Sequence, residues 1–153
     1  MAEEIQEKGI HLTKQDRLAV FNRHQYLQGS WNYERMQNGG WCYAMIPAIK
    51  KLYPNRDDQI AALKRHLEFY NCQTTMQPLI GGIVCAMEEE NAANDEFDDS
   101  AITAVKTSLM GPLAGIGDSL IAGTLRVIGT GIAIGFAQQG SPLGAILLLL
   151  IFN

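Results

Sequence analysis

Charge is distributed so unevenly along this chain that it constrains the fold before any motif is considered. Of the 28 charged side chains (12 basic plus 16 acidic), 26 fall in residues 1–106, and Asp118 and Arg126 alone lie beyond them. A segment that apolar has to be surrounded by lipid or by protein, because its side chains lose free energy wherever they face water. The change of regime is marked by Met110-Gly-Pro-Leu-Ala-Gly-Ile-Gly-Asp118, where Gly111, Pro112, Gly115 and Gly117 crowd together. Proline lacks the amide donor and glycine costs about 1 kcal/mol per helical position, so the stretch predicts a broken helix. Broken backbone at membrane depth is tolerated where protein or a wet cavity satisfies it, and discontinuous helices of this kind mark many transporter sites. The expected fold class is an all-α membrane protein: N-terminal amphipathic and short helices, a Gly/Pro-rich re-entrant break, then a transmembrane helix.

The corresponding domain reading divides the chain into a helical N-terminal part, 1–106, cytoplasmic or interfacial, and a membrane part, 107–153. Within the latter, the break occupies 110–118, one span about 119–138, and an incomplete second span 142–153. Net charge is −4 overall, yet residues 8–65 hold ten basic side chains against four acidic ones. Basic excess ahead of the first span predicts a cytoplasmic N-terminus. Acidic residues gather later, in Glu88-Glu-Glu-Asn-Ala-Ala-Asn-Asp-Glu-Phe-Asp-Asp99, and read as a solvated loop. Three widely spaced cysteines (Cys42, Cys72, Cys85) suggest neither a disulfide framework nor a zinc site. The N-terminus lacks the basic-then-apolar order of a cleaved signal peptide.

Taken in order, Thr13 with Asp16 forms a capping-box variant for a helix from about Lys14 to Leu27. Ser30 is a candidate cap for a helix carrying Trp31, Tyr33, Glu34 and Arg35, ended by Gly39-Gly40. A short helix, Trp41 to Leu52, is interrupted by Pro47. Ile60, Leu63, Leu67 and Tyr70 recur at helical spacing after Asp57-Asp58. Pro78 opens an apolar helix running toward Glu90, too short to span a bilayer. Asp98 or Asp99 caps another over Ser100 to Leu109, and Asp118 caps the span, whose Gly131 and Gly135 offer a small-residue face to a neighbouring helix.

The motifs exclude several chemistries. Gly117 is followed by Asp118 rather than by the Lys and Ser/Thr of a phosphate loop, and Leu120 stands where a dinucleotide fingerprint has its third glycine. His11, His24 and His66 are too scattered for a metal site; no catalytic residue, metal, cofactor or nucleic-acid partner is expected. His66 and Glu68, two residues apart on a helix, point in different directions and read as structural. Arg126 is the sharper signal. A charge near the middle of a span costs about 2.5–3.5 kcal/mol unless it pairs or meets water. Asp118 and Arg126, with Gly111, Pro112, Gly115 and Gly117, are therefore the candidate transport or assembly residues. Trp31, Tyr33 and Trp41 are candidate interface aromatics, amphipathic rings suited to a membrane belt, a stacking surface or ordinary packing.

Gln28-Gly-Ser-Trp-Asn-Tyr-Glu-Arg-Met-Gln37, Tyr43-Ala-Met-Ile-Pro47, Lys64-Arg-His-Leu-Glu-Phe69, Ala86-Met-Glu-Glu-Glu90 and Met110 to Asp118 together resemble the IID membrane component of the mannose/fructose/sorbose family of the bacterial sugar phosphotransferase system. The resemblance runs in order from about Leu12 to Asn153. It implies an inner-membrane subunit, part of a hetero-oligomer, that works with a IIC membrane partner to move a mannose-type hexose inward. Cytoplasmic IIA and IIB subunits carry the phosphoryl group, so none is expected on this chain. Members of the family continue with further membrane segments, so the chain is expected to be C-terminally truncated. Two other classes remain open at this stage: a peripheral membrane docking protein, and a membrane enzyme using His66 with Glu68.

Overall fold

The computed structural model describes residues 11–94 and 96–152. Among them all regular structure is helical, apart from two isolated bridges that pair Asn32 with Met36 and Met36 with Tyr70. Two compact units meet in sequence between Ala114 and Gly115.

In the first unit, α1 (Lys14–His24) begins on the predicted capping box: Asp16 N–H donates to Thr13 Oγ1 while Thr13 N–H donates to the Asp16 carboxylate. A 3-10 turn (Leu27–Ser30) follows, and residues 31–37 form an irregular loop rather than the expected helix. The next helix, α2 (Asn38–Leu52), runs through both Gly39-Gly40 and Pro47. Gly40 is required there, because a Cβ would lie 1.9 Å from the Leu27 carbonyl oxygen. Pro47 cannot donate to the Tyr43 carbonyl four residues back, and Arg23 Nη1 donates to that oxygen instead, at 3.3 Å. Its guanidinium carbon also sits 4.7 Å from the Tyr43 ring centre.

Helix α3 (Arg56–His66) is capped by Asn55, and α4 (Gln77–Ala93) carries Pro78 in its first turn as expected. The core forms where α2 presents Trp41, Met45, Ala48, Ile49 and Leu52 to Ile80 and Val84 of α4. Their spacings of three and four residues place each set on one helical face.

Helix α5 (Ser100–Gly117) corrects the principal backbone expectation. The re-entrant break at 110–118 is absent: helix continues through Gly111, Pro112 and Gly115, and an eight-residue π-helical segment, Asp118–Leu125, leads directly into α6 (Arg126–Gln138). Proline and glycine weaken a helix without ending it where a competing loop would leave more backbone groups unsatisfied. Ser119 Oγ donates to Ile116 O at 3.1 Å and Thr124 Oγ1 to Ser119 O at 2.9 Å. The expected span of 119–138 is correspondingly part of a helical run of 39 residues, Ser100–Gln138, long and apolar enough to cross a membrane.

The second unit closes on itself through a turn at Gly140, whose φ of +71° is in the left-handed region. It returns as α7 (Leu143–Phe152). The two helices cross closely at Gly144, where a Cβ would lie 2.4 Å from Ala133 O.

Candidate functional site

The α4 sequence explains the most unusual feature of the first unit. Its buried positions are Gln77, Ile80, Gly81, Val84, Cys85, Glu88 and Glu89, a three-four repeat that carries on after the apolar residues stop. Two carboxylates therefore enter the core on the same stripe as Ile80 and Val84. The loop expected over 88–99 is helix as far as Ala93, and Glu88 is fully buried.

Three side chains converge on Glu88. Arg65 Nε donates to Oε1 at 3.1 Å and Nη2 to Oε2 at 3.0 Å, giving the forked geometry that guanidinium and carboxylate share. Tyr53 donates its hydroxyl to Oε2 at 2.6 Å and accepts from Asn91 Nδ2 at 2.7 Å. His66 Nε2 stands 3.1 Å from Oε1, a close contact short of good hydrogen-bond alignment. Trp41 Nε1 donates to His66 Nδ1 at 3.2 Å, which assigns the imidazole proton to Nε2, on the carboxylate side. Arg65 also reaches Asp99 at 2.6 Å. Lys106, fully buried on α5, donates to the Arg65 backbone carbonyl at 3.0 Å. The cluster ties α2, α3, α4 and the start of α5 to one carboxylate.

Burial alone would raise the Glu88 pKa, but His66, the Tyr53 hydroxyl and the Arg65 guanidinium outweigh it and hold the carboxyl below its ordinary value. Burial pushes His66 down despite the carboxylate beside it, so the imidazole is neutral. His24, on α1, is pushed by burial down to about 4. Neither of its ring nitrogens has a hydrogen-bond partner.

A pH dependence follows. Between the ordinary histidine value of 6.5 and about 4, the unfolded chain binds a proton at His24 that the folded chain does not. Stability is therefore full above pH 6.5 and falls with acidification through that window, by up to about 3 kcal/mol for His24. His66 acts in the same direction, while the Glu88 contribution is lost at lower pH. Urea midpoints measured from pH 7.5 to 4 should fall, and His24→Phe should flatten part of the slope. An unchanged slope in that variant refutes the assignment to His24.

The residues singled out from sequence are distributed differently. Gly111, Pro112, Gly115 and Gly117 lie in α5, Asp118 opens the π segment and Arg126 opens α6. The structure strings them along one helical run instead of gathering them around a loop, and Asp118 caps nothing because helix precedes it. Asp118 and Arg126 are both exposed. Trp31 and Tyr33 are exposed and meet edge to face at 4.8 Å. Trp41 is not an interface aromatic. It is fully buried, stacked on Tyr70 at 4.1 Å and packed beside His24 and His66, because α2 begins early enough to turn it inward. His66 and Glu68 separate as expected, Glu68 accepting from Thr103 Oγ1 at 3.0 Å.

A family model described as PTS system mannose/fructose/sorbose family IID component matches residues 11–153. The chain is 46% identical over 143 residues to the mannose-specific EIID component of Escherichia coli (strain K12), covering 93% of this chain and 50% of that protein. It is 46% identical over 142 residues to the sorbose-specific EIID component of Klebsiella pneumoniae, covering 93% and 52%. A chain in a cryo-EM structure of the mannose transporter ManYZ in complex with microcin E492 superposes with a TM-score of 0.89 at 45% identity, covering 93% of this chain and 52% of that one. The chain thus spans about half the length of the curated relatives it matches.

Proposed function

The chain belongs to the IID components of the mannose/fructose/sorbose family of the phosphotransferase system, and from that premise we propose that it serves as the IID part of a sugar permease in a bacterial membrane. The observation that carries the reading is the family match across residues 11–153 together with the 39-residue apolar helical run inside it. In this reading a IIC membrane subunit is the partner, a mannose-type hexose is the cargo, and IIA and IIB subunits handle the phosphoryl group in the cytoplasm. The basic excess of residues 8–65 favours a cytoplasmic N-terminal unit. Exposed Trp31 and Tyr33 suit a membrane or subunit boundary.

Asp118 and Arg126 bracket the π segment, and wide π turns recur at functional positions in helices. Arg126, an exposed charge within the candidate span, is the residue of this run for which we propose a role in transport or assembly. Gly111, Gly115, Gly131 and Gly135 leave open space where a Cβ would stand, which allows another helix to approach closely.

The test is carbonate extraction of membranes carrying the chain, co-purification of the IIC subunit and hexose uptake, for the natural sequence and Arg126→Leu. The chain should resist extraction, whereas a peripheral docking protein is released. Arg126→Leu should lower partner recovery or uptake at least tenfold, and Asp118→Asn should be mild. Undiminished recovery and uptake with Arg126→Leu would remove Arg126 from the assembly.

A further inference from the structure

Gly81 and Gly82 stand together in the middle of α4, where each costs about 1 kcal/mol relative to alanine. Gly81 has a reason within the chain: a Cβ there would lie 2.4 Å from His24 Cε1. Gly82 has none, since nothing stands within 4 Å of the equivalent position. The space beside it is a groove of about 170 Å³ between α1 and α4. Val20, Phe21 and Pro78 make its walls mostly apolar, Arg17 stands at its mouth, and the buried His24 ring closes its floor with both nitrogens unpartnered.

Both helices that line the groove carry exposed apolar side chains. Leu18 and Phe21, three residues apart on α1, are 54% and 47% exposed, and Leu79 of α4 is 59% exposed. Lys14 lies one turn before Arg17 and Leu18 on the same helix. Arg17 is held in place by Glu89 at 3.1 Å yet keeps most of its side chain exposed. A cation lining an apolar slot, a second cation one turn earlier on the same helix and exposed apolar side chains on both helices match an amphiphile that carries negative charge at one end.

We propose that the α1–α4 groove binds an anionic membrane phospholipid, its phosphate at Lys14 and Arg17 and one acyl chain against Phe21, Pro78 and Gly82. The assignment rests on the reading of the chain as a membrane subunit. It explains an otherwise unused glycine and the exposed apolar side chains at once. A lipid held there would fasten α1 to the bilayer surface and thereby set how the first unit sits on the membrane.

The test uses the full chain purified in mild detergent, mixed with equal phosphatidylglycerol and phosphatidylcholine, with retained lipid counted by native mass spectrometry. The natural sequence should retain phosphatidylglycerol at least tenfold in excess. Gly82→Leu, which fills the groove, should abolish retention while leaving the circular dichroism melt unchanged. Phe21→Asp, at an exposed position that tolerates charge, serves if Gly82→Leu does not fold, and should also abolish it. Equal retention of both lipids, unchanged retention in the groove variants, or occupation of the groove by a second copy of the chain each overturns the proposal. Carbonate extraction of the same variants separates the two readings: loss of lipid with intact membrane integration is the expected result, and release of the unsubstituted chain instead refutes the membrane-subunit reading itself.

Discussion

Replacing Glu88 by alanine should be among the most damaging single changes in the first unit, lowering its stability by about 3 kcal/mol. Removal of one partner from a buried ion pair typically costs about 3–5 kcal/mol, because the remaining charge is left in the interior without compensation. Here the carboxylate has no exposure and Arg65 has 10%. The Arg65 guanidinium would keep Asp99, whose side chain is 61% exposed, and that surviving contact places the loss toward the lower end of the range. Tyr53 would lose its acceptor and His66 the carboxylate beside it as well. Glu88→Gln keeps the shape and one acceptor oxygen for Tyr53, so it should cost less than alanine. The double variant Arg65→Met, Glu88→Leu should recover a large part of the loss, since apolar side chains of similar volume often replace a buried pair at little cost. Urea unfolding of the natural sequence, these three variants and the single changes Arg65→Met and Glu88→Leu, followed by circular dichroism, measures all of this. A double variant as unstable as the sum of its single changes would show that the pair is not coupled.

Glu88 also shows where the sequence was readable and where it was not. Pro78 and the apolar run after it located α4 correctly, and the Thr13–Asp16 pair gave the start of α1. The acidic run, however, reads by composition as a solvated loop, and composition has no register. Continuing the count from Ile80 and Val84 by four more residues reaches Glu88, and the basic Arg65 waits in the last turn of α3. The signal was present as a periodic position occupied by the wrong residue type. Its meaning depended on Arg65, Tyr53 and His66 being brought to it from other helices, which no local pattern encodes.

The Gly/Pro stretch failed in the opposite way. Gly111, Pro112, Gly115 and Gly117 carry real penalties, and summing them predicts a break. A helix in apolar surroundings has no better alternative, because any loop would expose amides and carbonyls that lipid cannot satisfy. The structure keeps the helix through Gly111, Pro112 and Gly115 and widens it beyond Gly117, in the π segment that holds the Ser119 and Thr124 hydroxyl bonds. Propensity scales measured in water give the sign of each residue's effect but not the cost of the competing state.

The aromatic cluster separates into two kinds of residue that substitution should distinguish clearly. Trp41→Ala should cost about 3–5 kcal/mol, the usual range for a large aromatic removed from a packed core. The indole has no exposure, stacks on Tyr70 with ring centres 4.1 Å apart and supplies the proton accepted by His66 Nδ1. Its loss leaves a cavity and an unsatisfied buried nitrogen, and the latter alone is worth about 1–3 kcal/mol. Trp41→Phe should fall between, keeping the stack but not the donor, and its cost should shrink when His66 is also replaced by Leu, which no longer needs one. Trp31→Ala, at 45% exposure beside the still more exposed Tyr33, should change stability by no more than about 0.5 kcal/mol. Any effect of Trp31 belongs instead to assembly or membrane attachment, and appears in partner recovery. Thermal and urea unfolding of these variants reads the first contrast, and co-purification of the IIC subunit reads the second. A Trp31→Ala protein as unstable as Trp41→Ala would mean that the loop between the 3-10 turn and α2 packs inward, and would remove Trp31 and Tyr33 from the boundary role.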